Sequence, residues 1–194
     1  MFEQLAYKPL AESLTEDCTT DSAKAITIYD FVVDNCKQPQ GNENPKYSTT
    51  YDVLTYKTAS CDQQVWLLMA LLRVEDIDAQ MVFLRGSDSI SHHTVAEVKI
   101  NEKWAMLDPF YSHHYPNNQG KIASVNDIIT GNIPLRDLYA MPESYRNLFA
   151  KQYPYKIHSD NKLDTPRRFM RSMLWGYQTV LGKLFTVPFV GMHN

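Results

Sequence analysis

Cys61, His93 and Asp108 are the residue types that, brought together, make a nucleophile, a proton carrier and an orienting acid. Cys61 follows Thr58-Ala59-Ser60 and precedes Asp62-Gln63-Gln64. His93 lies in Ser91-His92-His93-Thr94-Val95. Asp108 closes Lys103-Trp104-Ala105-Met106-Leu107 and is followed by Pro109. In such a set the thiolate attacks an amide or ester carbonyl and forms a thioester. The imidazole moves the proton, and the carboxylate holds the tautomer that faces sulfur. A free thiol titrates near ~8.5 and is mostly protonated at neutral pH. A helix N-terminus and a nearby imidazole both favour the thiolate, and this sequence offers both to Cys61. The Cys61 backbone N–H is a natural donor to the oxyanion that forms. Gln63 and Gln64 are expected to point away along the helix, and no second donor is selected by the sequence.

The elements that must position these groups are legible from their periodicity. Residues 61–74 are apolar nearly all round (Val65, Trp66, Leu67, Leu68, Met69, Leu71, Leu72), which marks a buried central helix. Ser60 is its expected N-cap, and Asp62 suits the positive end of its dipole. Residues 20–36 predict an amphipathic helix, with Thr20 or Asp21 as N-cap and Ala25, Ile28, Tyr29 and Val32 on the stripe. Residues 37–50 read as a polar loop, and Tyr51 to Tyr56 carries no clear signal. Residues 79–85 predict a strand. From His92 to Ile100 the side chains alternate. Thr94, Ala96, Val98 and Ile100 take one face, and His93, Val95, Glu97 and Lys99 the other. Asn101-Glu102 then makes a two-residue turn, and Trp104 to Asp108 returns. This register pairs positions whose numbers sum to 203. It sets Asp108 diagonally beside His93 on one face, roughly 7–8 Å away at the backbone. His92 points to the other face, so geometry selects His93. Residues 124–130 predict a short helix capped by Ser124, and 134–155, rich in aromatics and prolines, a covering layer.

The composition narrows the function classes. A chain of 194 residues with 44% apolar content supports one domain with a real core. A formal charge of −3 argues against nucleic acid as a partner, since phosphate neutralisation needs a basic surplus. There is no internal repeat. Of three cysteines, Cys18 and Cys36 are expected to be buried or surface thiols, with pairing left open. Few cysteines and no visible signal peptide make a cytoplasmic setting the expectation, with the compartment open.

The segment from about Thr20 to Tyr111 resembles the transglutaminase-like superfamily core. Cys61 stands where that family has its nucleophile, and Leu71-Leu72-Arg73 matches the end of the nucleophile helix. His93 matches the family histidine, with Glu97 four residues on, and Trp104 and Asp108-Pro109 match the following strand. Thr20-Asp21 through Tyr29-Asp30-Phe31-Val32 resembles the leading helix. The resemblance implies an α+β, papain-like fold, with a central buried helix carrying Cys61 packed on an antiparallel sheet carrying His93 and Asp108. It implies thiol-dependent acyl transfer on a peptide or protein amide through a thioester, with Cys61, His93 and Asp108 catalytic. Hydrolysis is expected over cross-linking. The chain departs from the family in three places. Ala59 stands for a glycine before the cysteine, Asp76-Ile77 for Gly-Ile, and Val95 for a tryptophan after the histidine.

Three other readings accompany this one. Ala59 and Val95 motivate a non-catalytic binding module that keeps the fold. His92, His93, His113, His114 and Asp108 are close in sequence, but His92 and His93 face opposite ways, so no metal and no cofactor is expected. Residues 1–164 are read as the domain, with its core at about 20–111. Residues 165–194 form a tail in which Arg167, Arg168 and Arg171 precede apolar and aromatic residues. That tail is read as an amphipathic helix docked on the domain, with peripheral membrane contact as a second use.

Overall fold

A computed structural model describes residues 2–40, 49–85, 91–149 and 155–158; the tail 165–194 lies outside them. Four helices come first: α1 (Phe2–Thr15), α2 (Asp21–Asn35), α3 (Thr50–Tyr56) and α4 (Cys61–Val74). Three strands follow, β1 (Ala79–Arg85), β2 (Ser91–Ile100) and β3 (Lys103–Leu107). Then come three short helices, α5 (Val125–Ile129), α6 (Leu135–Ala140) and α7 (Glu143–Asn147), and a strand β4 (Tyr155–His158). The sheet order is β3-β2-β1-β4 with every pairing antiparallel. The architecture is α+β, with the Cys61 helix packed on the sheet.

Local chemistry explains the boundaries. Thr20 caps α2 by accepting the Ala23 N–H at 3.1 Å. Ser60 opens α4: its N–H donates to Gln63 Oε1 and its hydroxyl to Asp62 Oδ1. Ser124 opens α5, accepting the Asp127 N–H while its own N–H donates to the Asp127 carboxylate. The β2–β3 hairpin turns on Asn101 and Glu102, both at positive φ as a two-residue turn of this hand requires. Its ladder pairs Ala96 with Leu107, Glu97 with Met106 and Val98 with Ala105, the register expected from the sequence. The stretch Thr50–Tyr56, which carries no sequence signal, is a helix because Thr49 and Asp52 form a reciprocal cap.

The sheet is covered on both faces. Ala79, Ala96, Val98, Ala105 and Leu107 face α1 to α4, where Leu67, Leu68, Leu71 and Leu72 are wholly buried. Val82, Leu84, Val95 and Met106 face a second core made with Val125, Ile128, Ile133, Met141, Tyr145 and Phe149. The 134–149 part of the expected covering layer is therefore observed as packing; 150–154 lie outside the described residues. This second cover buries polar groups of β2. Glu97 accepts Gln80 Nε2 at 2.7 Å and the Val125 N–H at 3.0 Å.

The end of α4 accounts for one departure from the family pattern. Ile77 N–H returns to Leu72 O and Asp76 N–H to Arg73 O, with Asp76 at φ 55 and Ile77 buried beneath. This is the paired-bond helix stop that favours glycine at the left-handed residue. Aspartate keeps the geometry at some cost in strain. Asp76→Gly is expected to raise stability by roughly 0.5–1 kcal/mol, net of the glycine's larger unfolded-state entropy. A urea midpoint below that of the parent chain would contradict this account.

Candidate active site

Cys61 is the first residue of α4, so its N–H belongs to the turn whose donors have no intrahelical partner. The loop before it is tied down on one side by the chain that leaves α2. Lys37 N–H donates to Lys57 O, Ala59 N–H donates to Lys37 O, and Lys37 bridges Thr58. The next residue reaches the other half of the site, as Gln38 Nε2 donates to Phe110 O at 2.7 Å. A two-residue strap thus holds the Cys61 loop against the loop that follows Asp108. Ala59 is fully buried, and its carbonyl accepts Gln64 Nε2. Gln63 folds back to the helix start and Gln64 is buried.

His93 and Asp108 come from the sheet face opposite α4 and meet beyond the strand ends. Both are buried, at 3% and 0% exposure. His93 Nε2 and Asp108 Oδ2 are 2.6 Å apart. The other ring nitrogen makes no contact with Asp108, and Cys61 lies near enough to the ring to raise its affinity for a proton. The three sequence candidates therefore occupy one place. His92, on the opposite face, is exposed.

The Asp108 carboxylate is saturated with donors. Oδ1 accepts the Phe110 and Tyr111 N–H groups at 3.1 and 3.2 Å. Oδ2 accepts the Tyr145 hydroxyl at 2.6 Å, in addition to its contact with His93. The main chain here is also pinned: Asp108 and His113 exchange two backbone bonds, and the Tyr29 hydroxyl donates to Asp108 O. Around the imidazole lie aromatic rings, Tyr111 at 4.9 Å, Phe110 at 5.9 Å and Tyr145 at 6.1 Å between centroids. Sequence reasoning missed Tyr145 and Tyr111. Tyr111 directly follows the Asp-Pro-Phe run and was readable as a neighbour. Tyr145 is one of twelve tyrosines, and no spacing marks it.

Electrostatics agree with the geometry. Burial acts against the His93 imidazolium. The hydrogen bonds that the protonated ring donates to Asp108 and Cys61, with the charges behind them, outweigh it and raise the ring from 6.5 to about 9. Burial and the Asp108 charge push Tyr145 well above its ordinary value, so it remains a donor.

The other cysteines take no part. Cys18 and Cys36 lie at opposite ends of α2, whose 15 residues span roughly 22 Å, far beyond the reach of a disulfide. Both are free, and burial raises Cys36 to about 11. Among the described residues no three His, Cys, Asp or Glu side chains are arranged to hold a metal ion, and no helix is long and apolar enough to cross a membrane. His113 stacks on Tyr111, and His114 lies edge-on to Tyr29.

Comparison with known proteins adds a family. The model described as the transglutaminase-like superfamily matches residues 8–109, just over half of the chain. No curated protein matches. Among solved structures, a candidate cysteine protease from Cytophaga hutchinsonii is 19% identical, aligned over 61% of this chain and 40% of its own, with a TM-score of 0.47. A candidate protease from Parabacteroides distasonis is 16% identical over 54% of this chain and 23% of its own, with a TM-score of 0.43. The chain thus spans less than half the length of either.

A raised histidine is a statement about stability. Its stabilising effect is full below the unfolded value of 6.5 and is lost as pH climbs through about 9. The unfolding free energy of the parent chain minus that of His93→Gln is therefore expected to fall by something of order 3 kcal/mol between pH 6 and 10. Denaturant titrations of both proteins across that range check it. A constant difference would rule out a buried imidazolium.

Proposed function

The chain belongs to the transglutaminase-like superfamily, and from that premise we propose that it is a thiol hydrolase acting on an amide bond of a peptide or protein. The observation that carries this reading is the placement of His93, whose Nε2 lies 2.6 Å from a buried carboxylate and whose ring is near enough to Cys61 for that side chain to raise its affinity for a proton.

In this reading the Cys61 thiolate attacks the substrate carbonyl carbon, and the carbonyl π electrons move to oxygen. The Cys61 N–H receives that oxyanion at the positive end of α4. His93, cationic in its pair with Asp108, gives the proton on its sulfur-facing nitrogen to the leaving amine as the C–N bond breaks. A thioester on Cys61 remains. His93, now neutral, takes a proton from water, and hydroxide attack releases the acid and restores the thiolate. Asp108 stays a carboxylate throughout. Its four donors stabilise the anion and fix the plane in which it meets the imidazole. Water is the default acceptor for such a thioester, and we take hydrolysis over transfer to an amine.

Cys61→Ala is expected to abolish turnover of a peptide library while leaving the unfolding midpoint close to that of the parent. Asp108→Asn is expected to cost a factor of about 10²–10⁴ in kcat/KM. Either orientation of an asparagine amide aims its NH2 at donors, at two backbone N–H groups on one side or at His93 and Tyr145 on the other. Mass analysis of products with and without added primary amine separates hydrolysis from cross-linking. Iodoacetamide at pH 6 tests the nucleophile without a substrate. Alkylation of Cys61 no faster than a model thiol, together with no cleavage, would replace the enzyme by a binding module of the same fold.

A further inference from the structure

Tyr145 lies 36 residues past the end of the family-matched segment, yet its phenol touches the centre of the site. It reaches there from α7, whose Tyr145 is anchored in the second core by Phe149 at 5.3 Å and flanked by His113 at 5.0 Å. The four donors on Asp108 divide by kind. The two on Oδ1 are main-chain groups of the turn that follows, and they hold the carboxylate plane by themselves. The two on Oδ2 are His93 and Tyr145, and they share one oxygen at equal distance.

We propose that Tyr145 is a positioning residue of the Cys61–His93–Asp108 set, whose hydroxyl draws charge from the Asp108 oxygen that holds His93 and so limits how tightly the imidazole keeps its proton. This rests on the reading of those three residues as the reacting groups. The physical lever is simple. A donor on a carboxylate oxygen stabilises the anion and lowers its affinity for any other proton it shares. With the phenol removed, Oδ2 pulls harder on the Nε2 proton, the imidazolium becomes a weaker acid, and delivery of a proton to the leaving amine slows.

Among the described residues, the groups that face His93 from each packed element are few. Cys61 comes from α4, Asp108 and the Tyr111 phenol from the loop after β3, and Tyr145 from α7, while Leu84 is the β1 residue paired across from it. His113, Tyr115 and Tyr29 stand behind, on Tyr145 or Asp108. Of these, Tyr145 alone is a neutral donor to the oxygen that His93 uses, so its hydroxyl can be varied without removing a charge.

The test is an NMR titration of the His93 ring in the full chain, with 13C-histidine labelling and the signal assigned by its loss in His93→Gln. Tyr145→Phe keeps the ring and is expected to raise the His93 midpoint by about half a unit to one unit. Site-specific replacement of Tyr145 by 3-fluorotyrosine, a more acidic donor of nearly the same shape, is expected to move it the other way. A role in packing alone would lower the thermal midpoint of Tyr145→Phe and leave the His93 midpoint in place. Midpoints within about 0.2 unit of the parent in both variants, or a downward shift in Tyr145→Phe, overturn the proposal. If Tyr145→Phe does not fold, the fluorotyrosine protein decides, a downward shift supporting and no shift refuting. The titration needs no substrate. A chain without turnover in which His93 still moves keeps this inference and loses the hydrolase, and the reverse result does the opposite.

Discussion

The Asp108 carboxylate has no exposure to solvent, and a buried anion is tolerated only when its lone pairs are met. That requirement reaches into every layer of this protein. Two donors come from the chain immediately after it, which fixes the sharp turn through Pro109 to His113. One comes from β2 and one from α7. Each side chain that satisfies Asp108 is oriented by doing so, and His93 is the one that also lies beside Cys61. The order of the site is thus a by-product of solvating a charge without water.

The same constraint explains why the site sits on a seam. Cys61 belongs to the layer built by α1 to α4, whereas His93, Asp108 and Tyr145 belong to the opposite face of the sheet. No side chain passes through the sheet. The two layers meet past the strand ends, where β3 stops at Leu107 and the residues paired with β1 shift at Leu84 and Arg85. The strap at Lys37 and Gln38 closes that seam with backbone bonds to the Cys61 loop and a side-chain bond to Phe110. Backbone bonds suit this task because they fix the separation of the two loops without adding a group that competes for the thiol. Polar pairs inside the second core, such as Glu97 with Gln80 and the start of α5, bind the outer layer to the sheet.

Much of this was written in local patterns. The limits of α4, the two-residue turn at Asn101-Glu102 and the register of β2 on β3 follow from caps, turn chemistry and alternation, and they alone separate His93 from His92. What the sequence hid was non-local. Alternation on β2 reads as one apolar and one polar face, which ordinarily means solvent on the polar side. Here a second core covers that side, and Glu97 and His93 are buried among partners up to tens of residues away. Tyr51 to Tyr56 has no helical stripe and becomes a helix through a cap reciprocated within four residues. Tyr145 could not be singled out, because the bond that gives it meaning joins two residues 37 apart in the chain.

That last pairing bears on what the family core requires in this chain. The matched segment carries Cys61, His93 and Asp108, and by itself it would leave the outer edge of the Asp108 carboxylate facing water. Water would supply donors to Oδ2, but as exchanging partners in a medium of high dielectric, where the attraction between Asp108 and the imidazolium is several-fold weaker. Covering that edge with a phenol in a hydrocarbon layer keeps the dielectric low and the number of donors fixed at two. Residues 110–149 therefore shape the surroundings of Asp108 although none of the three residues read as reacting groups lies among them. Comparison of cores alone would not reveal this, because the layer lies outside the matched segment and its side-chain hydrogen bond to Asp108 comes from a single hydroxyl.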